Sequence, residues 1–468
     1  MLTNRNRARY PLGYLLLVVV PAAAAVALLV TLAEPGRSGD PADAVHPSRL
    51  LPALAVILVV VRLVGAALRR LGQPAVVGEI VAGLMLGPSV LGFFLPDLQR
   101  TLFPASILPS LDTLAQLGVV LFMFLVGLEL PLDLLRRSGP AAAALAQAST
   151  AVPFLCGAVL AAALLDSYRP PGASRLAMVM FVGVAFAITA FPVLARILGE
   201  QRLTHTPLGT LGLATAGIGD VIAWCLLAAV TAVATSASAA PTVLSCALVT
   251  LYAAVMFLVV RPAFTRLAPR IGEAGQPLVA AAVLTTTLVS AWLTDTMGAH
   301  AIFGAFIAGV VMPRNSVAIQ RIADRVEGLT GWVLLPVFFA VVGLKLDLPA
   351  VGGLRDWGVL ALIVLVASAA KFCTVALFAR LLGRHRRDAA ALGLMMNCRG
   401  VTELIVLQLG LTLGVLSQQL FAMLTCMALV TTAATGPLLR RLRLDRGRSD
   451  PTRTTTEAPL LTSHEGTT

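Results

Sequence analysis

Apolar runs of bilayer length recur along nearly the whole chain, each closed by a short polar break. At about 20 residues per crossing, the pattern predicts fourteen transmembrane helices, over residues 12–33, 50–68, 76–95, 111–130, 141–165, 176–198, 208–233, 243–260, 278–293, 299–312, 329–344, 359–382, 389–413 and 420–439. The fold class that follows is an all-α polytopic membrane protein.

The breaks alternate in charge. Arg5/Arg7/Arg9, Arg69/Arg70, Arg136/Arg137, Arg196/Arg202, Arg261/Arg266/Arg270, Arg314/Arg321/Arg325, Arg380/Arg384/Arg386/Arg387 and Arg440/Arg441/Arg443 form one set. The intervening breaks are acidic, neutral or mixed, as at Asp97, Asp166, Asp295 and Asp347/Asp356. Arginine-rich breaks mark the cytoplasmic side. Both termini are therefore expected there, the span count is even, and the expected location is the cell membrane, of the bacterial inner-membrane kind.

Three regions follow. Residues 1–48 hold a cytoplasmic N-terminus, one extra helix and an external loop; residues 49–443 form the main membrane domain; residues 444–468, rich in Thr, Arg and Pro, read as a disordered cytoplasmic tail. The 12–33 run follows three arginines as a secretory signal would. Its length of 22 residues exceeds the usual apolar core of about 7–15, which favours a retained helix.

Composition narrows the classes. Hydrophobic residues make up 58% and charged residues 12%, with mean hydropathy +0.90, far from the roughly one-quarter charged content of a soluble domain. The formal charge of +12 follows from the cytoplasmic arginines and requires no nucleic-acid partner. All six cysteines (Cys156, Cys225, Cys246, Cys373, Cys398, Cys426) lie in apolar spans without CxxC or Cys/His grouping, against both a disulfide framework and a zinc site. No phosphate-cradling glycine motif occurs, so no nucleotide engine and no cofactor is expected; uphill transport would draw on an ion gradient.

Charge inside the spans is scarce and therefore informative. Asp220 is the only formal charge between Arg202 and Arg261, and Lys371 the only one between Asp356 and Arg380. Arg399 and Glu403 are alone between Asp388 and Arg440, with the i, i+4 spacing of a helical ion pair. A carboxylate at mid-bilayer costs roughly 2.5–3.5 kcal/mol on insertion scales and marks a proton or cation site by default. For the Arg399/Glu403 pair a structural role stands equally open.

Two spans are interrupted. Pro192, with Thr189 beside it, breaks the sixth, and Pro336 with Gly343 breaks the eleventh. An odd separation gives opposite orientation, the arrangement that builds midplane ion sites from unwound carbonyls and half-helix ends. Ordinary proline kinks are the plainer alternative.

The segments Gly72-Gln-Pro-Ala-Val-Val-Gly-Glu-Ile-Val-Ala-Gly-Leu-Met-Leu-Gly-Pro-Ser-Val-Leu-Gly92, Leu117-Gly-Val-Val-Leu-Phe-Met-Phe-Leu-Val-Gly-Leu-Glu129, Ala299-His-Ala-Ile-Phe-Gly-Ala-Phe-Ile-Ala-Gly-Val-Val-Met312 and Met396-Asn-Cys-Arg-Gly-Val-Thr-Glu-Leu-Ile-Val406 resemble monovalent cation/proton antiporters of the Kef-like and plant cation/H+ exchanger branch. The resemblance spans residues 50–439 and implies a thirteen-helix core with inverted repeats, preceded here by one extra helix, and a homodimer. It implies two crossed discontinuous helices, those holding Thr189/Pro192 and Pro336/Gly343, beside an essential aspartate, Asp220. Cation and proton would bind at Asp220 and Thr189, so that the only metal is the transported Na+ or K+ at Asp220. Lys371, Arg399, Glu403 and Glu79 would support the core.

Gly219 departs from the pattern. Electrogenic members carry a second aspartate there and others Asn or Gln, so one-for-one, electroneutral exchange is expected. The mechanism needs only competition: a cation binds ionised Asp220, a proton neutralises it, and only a neutralised site crosses the low-dielectric barrier. A gated cation channel is the alternative. Gly217-Ile-Gly-Asp220 also fits the GxGD intramembrane proteases, but their Tyr-Asp partner is missing: Tyr10, Tyr14, Tyr168 and Tyr252 precede Pro, Leu, Arg and Ala. An exporter of organic solutes would want aromatic residues clustered around Asp220, and the sequence shows none.

Overall fold

A computed structural model describes residues 47–73, 75–129, 139–204, 206–235, 239–267, 276–297, 300–346, 348–349 and 351–442. Every regular element among the described residues is a helix. Twelve helical stretches are long and apolar enough to cross a bilayer, and a thirteenth, Ala301–Val311, is shorter. These thirteen match the last thirteen expected spans. The 12–33 helix and the 444–468 tail lie outside the described residues.

In chain order the crossings are α1 (Pro47–Arg70), α2 (Ala75–Leu86, extended by Leu91–Phe94), α3 (Leu108–Glu129), α4 (Gly139–Leu164), the pair α5 (Arg175–Ala187) and α6 (Phe191–Glu200), α7 (Pro207–Thr235), α8 (Ala239–Val255), α9 (Gln276–Thr296), α10 (Ala301–Val311), the pair α11 (Val317–Leu329) and α12 (Leu335–Lys345), α13 (Leu354–Leu381), the pair α14 (Arg386–Met396) and α15 (Val401–Thr412), and α16 (Gln418–Arg441). Local chemistry sets several ends. Ser174 and Ser417 cap α5 and α16 by accepting the amides of Ala177 and Leu420. Gly383, at φ 78°, takes the left-handed conformation that stops α13.

The packing has an internal two-fold relation. α1 packs on α2 as α9 packs on α10, α2 on α12 as α10 on α3, α4 on α5 as α13 on α14, and α4 on α7 as α13 on α16. The first six described crossings thus each have a mate seven crossings later, with α8 left between the repeats, and an odd offset inverts the direction. The tightest contacts repeat as well. A methyl group at Gly83 of α2 would stand 2.3 Å from the Phe339 carbonyl oxygen of α12, and one at Gly309 of α10 would stand 2.0 Å from the Phe124 carbonyl oxygen of α3. In lipid, where apolar burial drives no association between helices, such backbone approach is what holds them. The sequence carries the repeat as Gly78-Glu-Ile-Val-Ala-Gly83 against Gly304-Ala-Phe-Ile-Ala-Gly309, and Val126-Gly-Leu-Glu129 against Val342-Gly-Leu-Lys345.

One expectation is corrected. Pro336 and Gly343 do not form the second break, because α11 continues through a π turn, Thr330–Leu334, into α12 as one crossing. Pro336 sits in the first turn of α12, where the wider turn accommodates its missing N–H. Gly343 serves packing: a methyl there would lie 2.0 Å from the Gly83 carbonyl carbon. The second break is instead Asn397–Gly400, between α14 and α15. The two broken crossings, α5/α6 and α14/α15, are themselves mates in the repeat.

Candidate functional site

A helix that stops inside the bilayer leaves carbonyls and amides with no water to bond, so each needs a protein partner. At the end of α5 the demand is met almost entirely by two cations. The Val184 carbonyl takes the Ile188 amide at 3.1 Å. The next two, Ala185 and Phe186, accept from Arg399 Nη1 at 2.5 Å and Nη2 at 3.1 Å, and Ala187 accepts from Lys371 Nζ at 2.5 Å. Positive charge at a helix C-terminus is also the favourable sign for the helix dipole.

The two breaks are bonded to each other. The Ala190 amide donates to Cys398 O at 3.0 Å, and Thr189 Oγ1 donates to Met396 O at 3.0 Å while accepting from Lys371 Nζ at 2.6 Å. Arg399 also donates to Glu403 Oε1 at 3.0 Å, and both side chains are fully buried. Its backbone is tied to α16, where Thr432 Oγ1 accepts from Arg399 N at 3.1 Å and donates to Arg399 O at 2.7 Å.

Asp220 approaches from α7 at the opposite end of the first break. It is 2% exposed. Its Oδ2 accepts the amide of Phe191, the first residue of α6, at 3.3 Å, and Oδ1 has no partner. A carboxylate at a helix N-terminus is favourably placed, yet one amide leaves an ionised group far short of the bonds it had in water. A second ligand, proton or cation, would supply what is missing. Among the described residues no three His, Cys, Asp or Glu side chains gather, so a cation would be held by this single carboxylate with hydroxyl and backbone oxygens.

Of the residues singled out from sequence, Asp220, Thr189, Pro192, Lys371, Arg399 and Glu403 meet at this crossing. Thr189 is committed on both sides of its hydroxyl. Lys371 has the carbonyl of Ala187, at the end of α5, and the Thr189 hydroxyl as its partners. Gly219 leaves room: a methyl there would meet only Thr150 Oγ1, at 3.8 Å. Glu79 lies elsewhere, with Glu129, Arg196 and Glu327 in a cavity of about 490 Å³ that reaches Pro192 and Val401. A second cavity of about 580 Å³, lined by Asp112, His300, Lys345 and Gln408, opens at the opposite ends of the helices. Between them, Asp220 shares with Ile188, Ala223, Trp224, Thr402 and Val406 a closed void too tight for a water molecule. Trp224 packs on Phe303 and Phe306, with ring centroids 5.7 and 6.3 Å away, an aromatic cluster near Asp220 that the sequence did not place; the void beside it cannot hold an organic solute.

Asn397 and Thr402 escaped the sequence reading. The signal was present in the run of polar and small residues from Asn397 to Gly400, which has no proline.

The chain compares with known proteins as follows. Residues 55–442 match the family described as sodium/hydrogen exchanger, transmembrane. A sodium/proton antiporter of Synechocystis is 41% identical over 401 residues, covering 84% of this chain and 97% of the relative. Cation/H+ antiporter 19 of Arabidopsis thaliana is 39% identical and K+/H+ antiporter 1 of Saccharomyces cerevisiae 34%, covering 82% and 84% of this chain; the chain spans about half the length of each, 49% and 46%. The solved sodium/proton antiporter of Methanocaldococcus jannaschii shares the fold, with a TM-score of 0.65 at 14% identity over 84% of this chain and 98% of that one. These are transporters, not enzymes, which removes the protease reading. With an aspartate at the crossing of two broken helices and an inverted repeat around it, the chain belongs to the sodium/hydrogen exchanger family of transmembrane cation/proton antiporters.

Proposed function

We propose that the protein exchanges Na+ or K+ for H+ one for one, with both ligands competing for Asp220. The observation that carries this is the buried carboxylate with one oxygen bonded to a half-helix amide and the other unpartnered. A charge so poorly solvated is held in the membrane only when a proton or a cation neutralises it. The two cavities approach the crossing from opposite ends without joining, a geometry that suits alternating access better than a channel. Gly219 adds no second carboxylate, so the site carries one charge and its loaded forms are neutral. Relatives named for Na+ and for K+ exchange are similar to this chain, and both ions have the oxygen-ligand chemistry the crossing offers.

By the arginine distribution, the Glu79 cavity faces the cytoplasm and the Asp112/Lys345 cavity the exterior, with both termini cytoplasmic, in a cell-membrane homodimer. Proteoliposomes with a pH-reporting dye test the function: cation-dependent proton flux in the wild type, none for Asp220→Asn. Substantial exchange by Asp220→Asn overturns the assignment.

A further inference from the structure

We propose that Thr402 is a direct ligand of the transported cation, its hydroxyl oxygen adding to the coordination that Asp220 Oδ1 begins; the inference rests on Asp220 being the exchange site. Five buried helical threonines donate their hydroxyls to the carbonyl four residues earlier: Thr150 to Ala146, Thr231 to Leu227, Thr287 to Val283, Thr431 to Met427 and Thr435 to Thr431; Thr215, Thr330 and Thr425, like Thr402, have no partner, and of these four only Thr402 lines the void beside Asp220. Thr402 makes no such bond along its helix. The carbonyl four residues before it belongs to Cys398, which lies in the unwound segment and accepts the amide of Ala190 from the other broken helix. At the crossing the carbonyl four residues before Thr402 is thus outside helical geometry and already engaged by the other broken helix.

The result is a hydroxyl that is 1% exposed and unpartnered. It lines the same closed void as Asp220, whose Oδ1 is also unpartnered. The remaining walls are the apolar residues Ile188, Ala223, Trp224 and Val406. A buried polar atom without a partner is costly, and two beside one apolar void, closed to water in this state, would be satisfied together by a dehydrated cation when the walls part to admit it. Thr189, by contrast, already donates to Met396 O and accepts from Lys371. Because a proton needs only the carboxylate whereas a cation needs several oxygens, the hydroxyl of Thr402 acts on the cation side of the competition.

The test is Thr402→Val, which keeps the branched shape and removes the oxygen, beside Thr402→Ser, which keeps the oxygen. Initial rates in proteoliposomes are measured against Na+ and K+ concentration at several pH values, and thermal denaturation of the purified proteins is followed in NaCl, KCl and choline chloride. For Thr402→Val the expected result is a melting temperature in choline no lower than wild type, since an unsatisfied hydroxyl is lost. Its cation KM rises by about tenfold, the scale of one buried polar partner, its rate-against-pH profile at saturating cation is unmoved, and Na+ or K+ protects it less against heat. Thr402→Ser restores both KM and protection. An unchanged cation KM in Thr402→Val, or equal impairment in Val and Ser, overturns the proposal. If Thr402→Val does not fold, the same readouts on Thr402→Ala decide. Asp220→Asn in parallel separates the two levels: loss of all exchange there with an unchanged Thr402→Val removes only the hydroxyl ligand, whereas retained exchange by Asp220→Asn removes the site reading itself.

Discussion

Lys371 and Asp220 hold opposite ends of one helix break, the ammonium 2.5 Å from the Ala187 carbonyl and the carboxylate 3.3 Å from the Phe191 amide. No hydrogen bond joins them. Each sits at the helix end whose partial charge suits it, so the break is held by charge without the two neutralising each other, and Asp220 keeps one oxygen unpartnered.

This division of labour separates stability from transport. Lys371→Met uncovers two buried acceptors, Ala187 O and Thr189 Oγ1, at roughly 1–3 kcal/mol each. Asp220→Asn retains an oxygen able to accept the Phe191 amide. Thermal denaturation in detergent should show Lys371→Met melting well below wild type and Asp220→Asn close to it, although Asp220→Asn transports nothing. Equal melting of Lys371→Met and wild type would remove the lysine's structural role.

Potential dependence follows from Gly219. Wild-type exchange should be indifferent to a membrane potential imposed with valinomycin. A Cβ at 219 meets only the Thr150 hydroxyl, at 3.8 Å, so Gly219→Ala should fold and stay indifferent to potential, whereas the added carboxylate of Gly219→Asp, buried at a cost, should make exchange sensitive to potential. A several-fold response of the wild type would end the one-for-one assignment.

His300 begins α10 at φ 65° with Nδ1 accepting the Ile302 amide at 3.5 Å. His300→Asn tolerates the left-handed backbone and can cap the helix, so it should melt like wild type, whereas the β-branched His300→Val should melt lower.

Repeat-related glycines should fail together. Gly83→Val and Gly309→Val each force a side chain within 2.3 Å of a neighbouring backbone atom, and folded yield on size-exclusion chromatography should collapse for both. Gly358→Ala, in α13 with open space around it, should fold and gain about 0.5–1 kcal/mol of helix stability.

The crossings were legible because hydropathy alone decides what lies in a membrane. Asp220 and Lys371 were legible because charge there is rare. The first break showed itself through Pro192. The second did not: Arg399 and Glu403 read as a pair on one continuous helix, functional or structural with equal weight, whereas the chain between α14 and α15 unwinds and the guanidinium reaches across to Ala185 and Phe186. Pro336 misled for the converse reason, since a π turn absorbs a missing amide without opening the helix. The glycine repeat at Gly78/Gly83 and Gly304/Gly309 was in plain view, but its meaning depends on which helices touch.

The cations that close the end of α5 come from far downstream, 184 residues away for Lys371 and 214 for Arg399. At roughly 5–20 residues per second of synthesis, the carbonyls of Ala185, Phe186 and Ala187 wait about 10–40 s for their partners. During that interval the nascent first half carries an open helix end that hydrocarbon cannot accommodate. It must remain beside water or the insertion machinery until the second half arrives. Neither half is a finished unit: the first supplies the acid and the bare carbonyls, the second both bases, so the duplicated segments now depend on each other to complete insertion.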